Sequence, residues 1–424
     1  VTMRFAEMLN DGSKVYSGDY NTDLEIGNTD PDALYSGDGP KGSVYLKSLR
    51  TAKAAATYTF AGQGNETYQP AMTFFGYRYI SLTATDDITI QSVRSRAISS
   101  VSDQTGFIET NNADVNQLIS NARWGQLSNY FTIPTDCPQR NEREAWTGDA
   151  QVFSQTGLYN YDSVAFLETF QNMLSDNTMK SGFPGAVASN SFFSYLWATG
   201  WSDIEIILPW TLYLQTGDVS ILEENWDAMI KYMDYLISHE REPYAGPKGS
   251  WMAFGDWLAF QGTSVELMTD AFYGYDTQIM VQVAEIMGET ELAASYSDRF
   301  ENIKQTFIQN HVTFNDDGSI TVNSDVGTAS SSGKGGVMEP NSQTSLLWML
   351  KLGFYNDDNM KQQLENLLVE NIKNENPDPD SVRADYTQNT LAVGFLGSNV
   401  ITPVLTDTGN ANVAYDLLLQ DEMP

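Results

Sequence analysis

The sequence predicts a multidomain β + α protein, in which an N-terminal antiparallel β-sandwich precedes a toroid of paired α-helices. Segments rich in β-branched and aromatic residues, separated by Gly, Asn and Asp, fill residues 1–108. From residue 112 onward, apolar residues instead recur at the spacing of amphipathic helices. The predicted domains are therefore a β-sandwich over residues 1–108 and a helical domain over residues 109–424.

Four segments of partly alternating polarity predict the strands of the N-terminal domain. Turn residues separate them, as is typical of a sandwich. The four segments are GSVYLKSL, ATYTFAG, GYRYISLTA and ITIQSVRSRAI.

The helical domain is predicted to begin after Asn112, because asparagine is a favoured helix N-cap. About eleven helices are expected, from apolar stripes at helical spacing and the usual lengths of helices. Strong stripes lie in VSILEENWDAMIKYMDYLISH, ELAASYSDRFENIKQTFIQ and NMKQQLENLLVENI. Weaker candidates lie near residues 147–159, 162–177, 202–216, 270–288, 341–352, 387–396 and 410–420.

Composition and charge exclude several classes of function. A hydrophobic content of 41% and an aromatic content of 12% are typical of a globular protein. The 23 basic and 55 acidic residues give a net charge of −32, which repels nucleic-acid phosphates and anionic membranes. No apolar run has the length of a transmembrane helix. We therefore expect neither a nucleic acid nor a membrane as partner.

Cysteine and histidine are too few for most metal chemistry. The single cysteine, Cys137, excludes an intramolecular disulfide and a cysteine cluster for zinc. The two histidines, His239 and His311, stand in unrelated contexts. We expect no catalytic metal and no cofactor, although acidic loops are compatible with structural calcium. Cys137 is interpreted as a small buried residue and not as a nucleophile, since no histidine lies near it in the sequence.

The stretch TDCPQRNEREAWTGDAQ, residues 135–151, gathers charges of both signs around Trp146. One explanation is an exposed loop followed by a helix start of mixed charge. However, Pro134 and Pro138 stiffen the backbone, and a tryptophan is unfavourable to expose. Carboxylates beside an aromatic face suit sugar recognition, because acids accept hydrogen bonds from hydroxyls while the ring covers an apolar face.

The same combination of acid and tryptophan recurs twice downstream. Singly, each case is explained by a core tryptophan with a capping aspartate. Three such stretches in one helical domain favour a single carbohydrate cleft. The stretches ATGWSDIEIILPW and WMAFGDWLAFQG supply Trp201, Asp203, Glu205, Trp251, Asp256 and Trp257.

These stretches resemble glycoside hydrolase family 78, the bacterial-type α-L-rhamnosidases. DCPQRNEREAWTGDAQ resembles the family signature and is long and specific. GWSDIEIILPWTLYLQTGD and FGDWLAFQGTS follow it in the family's order, and TLAVGFLGSNVITPVLTDTGNANVAYDLLLQDEMP is similar to its late catalytic-domain segment. GSVYLKSLRTA and TFFGYRYISLTA resemble the β-sandwich that precedes the barrel. The resemblance covers nearly the whole chain.

The resemblance implies an (α/α)6 barrel that cleaves terminal α-L-rhamnosyl residues from glycosides or polysaccharides with inversion. By position, Glu142 matches the general acid, while Asn141 departs from the Asp of many members. We expect the acid and its neighbours to share one pocket. The residues matching or flanking rhamnose-binding positions are Asp136, Arg140, Trp146, Asp149, Trp201, Asp203, Asp256 and Trp257.

A general acid must hold its proton near neutral pH, above the reference pKa of about 4.3 for Glu. The like charges of Asp136 and Asp149, together with desolvation by Trp146, would raise the pKa of Glu142. Arg140 would act in the opposite direction if it contacted Glu142. We therefore expect Arg140 to face the substrate or Asp136 instead.

Inversion also requires a general base. The resemblance implies a Glu in a loop after NANVAYDLLLQDEMP, so we expect the base beyond residue 424, with a barrel incomplete at its C-terminal end and low activity from this chain alone. Within this chain, the carboxylates considered as alternatives for the base are Asp203, Glu205 and Asp256. None of them matches the position of the family's base.

Compartment, oligomeric state, aglycone and linkage are left open. The start VTMRFAEML has no signal-peptide pattern and no initiator Met, so the true N-terminus is expected elsewhere. Two alternative functions are another (α/α)6 carbohydrate-active enzyme, such as an α-glucan hydrolase or phosphorylase, and a catalytically silent sugar-binding protein.

Overall fold

The computed structural model describes residues 1–12, 37–188, 192–248, 254–330 and 336–422, so Trp251 lies outside the described residues. The chain divides into two compact units. The sheet unit comprises residues 1–100 and 124–144, and the helical unit comprises residues 101–123 and 145–424. The predicted domain boundary lies after residue 108, whereas the segment 124–144 belongs to the sheet unit by its contacts.

The sheet unit is built around β1 (Thr2–Ala6), which lies between β4 (Ala55–Thr57) and β5 (Tyr79–Thr83) and runs antiparallel to both. Phe5 on β1 is buried and stacks on Phe75, with 4.1 Å between the ring centroids. The prediction of an N-terminal antiparallel sheet domain is confirmed. The strands are β1 (Thr2–Ala6), β2 (Met8–Leu9), β3 (Val44–Tyr45), β4 (Ala55–Thr57), β5 (Tyr79–Thr83), β6 (Tyr130–Phe131) and β7 (Ile133–Pro134).

Three of the four predicted strand segments form less strand than expected, and ATYTFAG contributes only its first two residues to β4. GSVYLKSL yields only β3 and then a 3-10 turn, Lys47–Leu49. ITIQSVRSRAI contains no strand, and its Ile90 and Val93 are 51% and 61% exposed. Strand formation depends on a neighbour that accepts the backbone hydrogen bonds, which alternation alone does not supply.

Helices are the main regular structure of the helical unit, as predicted, although long connections and short strands lie between them. Ser264, Ser342 and Asp357 cap the helices that follow them, α6 (Val265–Ile286), α8 (Gln343–Leu352) and α9 (Asp358–Lys373). Each side chain accepts a hydrogen bond from a backbone N–H of the first turn. The first helix, α1, crosses from the helical unit into the sheet unit. The helices are α1 (Ala113–Asn129), α2 (Thr147–Asn160), α3 (Val164–Ser181), α4 (Ile204–Thr216), α5 (Ser220–Ser238), α6 (Val265–Ile286), α7 (Thr290–His311), α8 (Gln343–Leu352), α9 (Asp358–Lys373), α10 (Phe395–Ser398), α11 (Ile401–Asp407) and α12 (Ala411–Leu419).

The helices pack in two layers. Contacts run from α2 to α4, α6 and α8 in turn, then through α10 back to α2, while α5, α7 and α9 each pair with the inner helix before them in sequence. The inner helices carry the most buried surface, including Phe272 on α6 and Trp348 on α8. This alternation of inner and outer helices confirms the prediction of paired helices. Short strands fill connections: β8 (Glu240–Glu242), β9 (Ala245–Pro247), β10 (Gln261–Gly262), β11 (Val312–Phe314), β12 (Ile320–Val322) and β13 (Val337–Met338).

The predicted helix near residues 387–396 is wrong. Helix begins only at Phe395, and the preceding backbone is extended or turned. Two of its N–H groups bond to side chains far away in the sequence, since Ala392 donates to Gln343 and Gly394 donates to Asp256, both at 2.8 Å. These bonds take the place of helical ones.

An ionic network fastens the β8–β9 hairpin to α6 and α7. Arg241 contacts both carboxylate oxygens of the buried Asp270, and His311 lies 2.7 Å from one of them. Burial alone would raise the pKa of Asp270, but the hydrogen bonds and charges of His311 and Arg241 hold this pKa below its ordinary value. This carboxylate is therefore ionised and structural.

Among the described residues, none of the helices has the length and apolar character that a membrane span requires.

Candidate active site

The loop of residues 135–144 in the sheet unit is fixed at its two ends by a reciprocal pair of bonds. The backbone N–H of Asp136 donates to the carbonyl of Glu144 at 3.1 Å, and the N–H of Glu144 donates to the Asp136 carboxylate at 2.8 Å. Inside the loop, the N–H of Arg143 donates to Cys137 Sγ at 3.4 Å. The loop thus holds its charged side chains on a closed, well-supported backbone.

Glu142 lies between two guanidinium groups. Arg50 Nη1 is 2.6 Å from Glu142 Oε2, and Arg140 contacts the same oxygen. Arg140 also donates to Asp136 Oδ2 at 3.1 Å. The expectation that Arg140 faces Asp136 is confirmed, but the expectation that it does not contact Glu142 is wrong. The planar fork of a guanidinium presents several N–H groups, so one arginine reaches both carboxylates.

Cys137 and Asn141 complete the loop. Cys137 is 4% exposed, and burial raises the pKa of its thiol to about 11. The interpretation of Cys137 as a buried thiol is confirmed. Asn141 Nδ2 donates to Thr51 Oγ1 at 2.5 Å, so this departure from the family pattern has a partner within the sheet unit.

The three predicted tryptophans of the helical unit meet around one residue, Phe254. Its ring centroid lies 5.5 Å from that of Trp146, 4.7 Å from that of Trp201 and 5.7 Å from that of Trp257. Trp201 is 2% exposed, whereas Trp146 and Trp257 are half-buried. Phe193 extends this aromatic cluster beyond Trp146, with 5.0 Å between the centroids.

The first turn of α2 is shaped to admit Trp201. A Cβ at Gly148 would lie 2.4 Å from the indole ring of Trp201, so this position requires glycine for the close approach. Trp146 is the N-cap residue of α2 and Asp149 lies in its first turn, half-buried. A carboxylate at this end of a helix is favoured by the helix dipole.

Asp203 is buried in a hydrogen-bonded network. It accepts bonds from the N–H of Gly200 at 2.5 Å and from Tyr232 Oη at 3.0 Å, and it faces Asp276. Burial raises the pKa of Asp203. Burial and the negative charge of Asp203 raise the pKa of Asp276 well above its ordinary value, so Asp276 holds the proton of the pair. No sequence pattern singled out Asp276, which lies on the buried side of α6.

Asp256 is also bound by protein groups. It is 1% exposed and accepts bonds from Thr344 Oγ1 at 2.5 Å and from the N–H groups of Gly394 and Leu396, both at 2.8 Å. These bonds hold the start of α10 beside Trp257, whose carbonyl accepts the N–H of Phe395 at 2.9 Å. A direct contact of Asp256 with sugar stays a prediction.

Glu205 lies in the first turn of α4 and is fully buried. It accepts hydrogen bonds from Gln171 at 2.9 Å, Ser175 at 2.8 Å and Thr178 at 2.6 Å. Burial raises its pKa to about 7, although these bonds oppose the shift. A catalytic base must reach the water that it activates. Asp203, Glu205 and Asp256 are at most 1% exposed, which disfavours each as that base.

A cavity of about 330 Å³ lies within the helical unit, and none of the predicted site residues lines it. Its polar lining comes from residues such as Gln151, Ser154, Lys351 and Asp407. Among the residues that the structure describes, His, Cys, Asp and Glu side chains form no group of three or more that could hold a metal ion.

The predicted site residues are thus assembled in two sets. In the sheet unit, Arg140 contacts both Asp136 and Glu142. Trp146, Trp201 and Trp257 surround Phe254 in the helical unit. That both sets form one pocket stays a prediction. Sequence analysis missed Arg50 and Phe254, although Phe254 stands two residues before Asp256 in a stretch already singled out.

Two family models match the chain. Residues 103–424 match the bacterial alpha-L-rhamnosidase 6 hairpin glycosidase domain, and residues 1–99 match the bacterial alpha-L-rhamnosidase concanavalin-like domain. The order of a sheet domain and a helical six-hairpin domain agrees with the predicted fold class. The (α/α)6 barrel is the architecture that six helical hairpins form.

Curated relatives and solved structures agree with these models. An alpha-L-rhamnosidase of Formosa agariphila is 29% identical over 91% of this chain, and one of Streptomyces avermitilis is 30% identical over 91%. The crystal structure of the Streptomyces avermitilis alpha-L-rhamnosidase complexed with L-rhamnose has a TM-score of 0.77 and 30% identity over the whole chain. That of the enzyme from Dictyoglumus thermophilum has a TM-score of 0.78 and 26% identity. The chain spans 39% and 34% of the lengths of the first two relatives, and 35% and 42% of the two crystallised chains.

Proposed function

The chain belongs to the bacterial α-L-rhamnosidase family, and we propose on this premise that it forms part of an enzyme that hydrolyses terminal α-L-rhamnosyl residues from glycosides or polysaccharides with inversion. The observation that carries the proposal is the match of residues 103–424 to the six-hairpin glycosidase domain of that family. The specific stretch DCPQRNEREAWTGDAQ, which contains Glu142, lies inside this match.

Glu142 is the proposed general acid. Its proton passes to the glycosidic oxygen as the bond from that oxygen to the anomeric carbon breaks. Water gives one proton to a general base and adds to the opposite face of the sugar. Glu142 is then a carboxylate. Arg140, which contacts Glu142 and Asp136, neutralises that charge. Asp203, Glu205 and Asp256 are not assigned the role of base, because protein donors bind their oxygens and they are at most 1% exposed.

The remaining predicted residues are proposed to bind the rhamnosyl ring. The half-buried Trp146 and Trp257 offer aromatic surface to the apolar parts of the sugar, and Trp201, which is 2% exposed, supports this surface through Phe254. Asp136, Arg140 and Asp149 offer hydrogen bonds to its hydroxyls. Asp203 and Asp256 act on the sugar through the segments they hold, since both are buried.

The test compares substrates that differ in the sugar alone. The full-length gene product containing this chain is assayed with an aryl α-L-rhamnoside and the matching aryl α-D-glucoside, and NMR follows the anomer that is released first. We expect hydrolysis of the rhamnoside with inverted configuration. Comparable kcat/KM on the glucoside would favour another barrel enzyme, and rhamnose binding without turnover would favour a silent binding protein.

A further inference from the structure

Arg50 reaches the predicted acid from a distant part of the sequence. It precedes Glu142 by 92 residues, yet its Nη1 lies 2.6 Å from Glu142 Oε2 within the sheet unit. The two side chains are 33% and 23% exposed, so solvent reaches both. Arg140 contacts the same oxygen but divides its charge between Glu142 and Asp136.

The backbone at Arg50 is strained. Its φ of 57° and ψ of −120° belong to a conformation that favours glycine, and it directly follows the 3-10 turn Lys47–Leu49. The next residue, Thr51, accepts the bond from Asn141. Arg50 and Thr51 therefore contact Glu142 and Asn141, two adjacent residues of the loop. A side chain kept at a strained position beside a predicted acid suggests a functional reason.

We infer that Arg50 is a positioning residue that holds Glu142 and stabilises the carboxylate formed when Glu142 gives its proton to the leaving oxygen. This inference rests on the proposed function and deepens it. During proton transfer the O–H bond of Glu142 breaks, and negative charge grows on the carboxylate. A fixed cation beside Oε2 favours the charged product over the neutral acid, and therefore strengthens the acid.

Other charged groups of the sheet unit lie near Arg140, and the Arg50 variants leave them unchanged. Asp136 contacts Arg140. Burial raises the pKa of Glu7, although the charges of Arg78 and Arg140 oppose the shift. Removing Arg50 alone therefore takes away one cation from Glu142 while Arg140 and its carboxylate partners remain.

The experiment measures kcat/KM against pH for the full-length protein, with an alkyl α-L-rhamnoside whose leaving group is poor. In Arg50→Met the carboxyl group should keep its proton to higher pH, so the alkaline limb should move up by about half to one pH unit. Below that limb, kcat should fall about two- to five-fold because the acid is weaker. Arg50→Lys keeps the charge and should restore most of the limb position.

Two further variants separate this effect from general damage. Arg4→Met removes an equal charge from an exposed position on β1, and its pH profile should match the wild type. Arg50→Gly removes the guanidinium but suits the positive φ, so it should unfold at a temperature no lower than Arg50→Met does. Its alkaline limb should nevertheless move as in Arg50→Met. An unmoved limb in both Arg50→Met and Arg50→Gly, on an active enzyme, would overturn the inference.

The inference and the proposed function fail in different ways. If the wild type does not hydrolyse the rhamnoside, the proposed function fails, while the contact itself is tested by stability. Arg50→Met should lower the thermal midpoint of the wild type more than that of Glu142→Gln, because only the wild type has the ion pair to lose. Equal effects in both backgrounds would show that Arg50 does not hold Glu142.

Discussion

The loop of residues 135–144 and the core of the helical unit hold their carboxylates in opposite ways. In the loop, Glu142 is 23% exposed and contacts two arginines. In the core, Asp256 and Glu205 are at most 1% exposed and accept bonds from hydroxyl, amide and backbone N–H groups. Acids that stand near a tryptophan in sequence thus differ widely in their access to solvent, and only an accessible carboxylate can reach a substrate. Asp270 stands between the two cases, since it is buried but paired with Arg241.

The largest effect is expected for Glu142→Gln. The amide has nearly the same shape but cannot donate the acid's proton, so kcat on a rhamnoside with a poor leaving group should fall about 10²- to 10⁴-fold. Rhamnose affinity, followed by calorimetry, should change little. Glu144→Gln in the same loop is the matched control and should stay close to wild type. Retention of most activity by Glu142→Gln would remove the acid assignment, whereas an activated aryl substrate would be a poor test.

The next effect concerns Asp270→Asn, which leaves Arg241 without its carboxylate. Breaking a buried ion pair lowers the free energy of unfolding by about 3–5 kcal/mol. Because Arg241 is partly exposed, we expect a loss near the lower end of this range, about 3 kcal/mol. Urea unfolding at pH 7 measures the loss, with Glu365→Gln as control, because the Lys361–Glu365 pair on α9 should contribute less than about 0.5 kcal/mol.

The pH dependence of Asp270→Asn tests the same pair. Because the pKa of Asp270 is lowered in the folded state, its stabilisation is present above the unfolded pKa of about 3.9 and is lost as pH falls through the lower folded value. The difference between wild type and Asp270→Asn should therefore shrink below pH 4. A constant difference down to pH 2 would contradict the ionised state of Asp270.

For Glu205 we expect a smaller effect on the free energy of unfolding, with the opposite dependence on pH. Its folded pKa of about 7 lies above the unfolded value, so the stabilisation by its neutral form is full below about pH 4.5 and is lost as pH rises towards 7. Glu205→Gln mimics the neutral acid and should not show this loss. Relative to the variant, the wild type should lose about 2–3 kcal/mol of unfolding free energy between pH 4.5 and 7.5. Parallel stability curves would show that Glu205 does not change its charge in this range.

Local patterns predicted most of the helices well. The predicted segments at 202–216, 341–352 and 410–420 correspond to α4, α8 and α12, because apolar spacing and N-caps act within a few residues. The failure at 387–396 has the opposite origin. Its backbone bonds to Gln343 and Asp256, and neither partner is visible in the local sequence.

The candidate site divides in the same manner. The stretch around Trp146 and the two later tryptophan stretches could be singled out from sequence, and their tryptophans do meet. Their meeting point, Phe254, could not be deduced from spacing. Arg50 had no signal at all, since its segment was interpreted as part of the strand region.

By itself, the sequence determined the order of a sheet domain and paired helices, the helix boundaries set by caps and apolar periodicity, and the stretches that carry the family signature. The tertiary structure alone decided the environment of each carboxylate. Glu142 is paired with Arg50 across 92 residues, and Asp256 is bound by Leu396 across 140 residues. The physical reason is that the state of an acid depends on desolvation and on the charges and donors that surround it. Those neighbours come from distant parts of the chain, where no local pattern describes them.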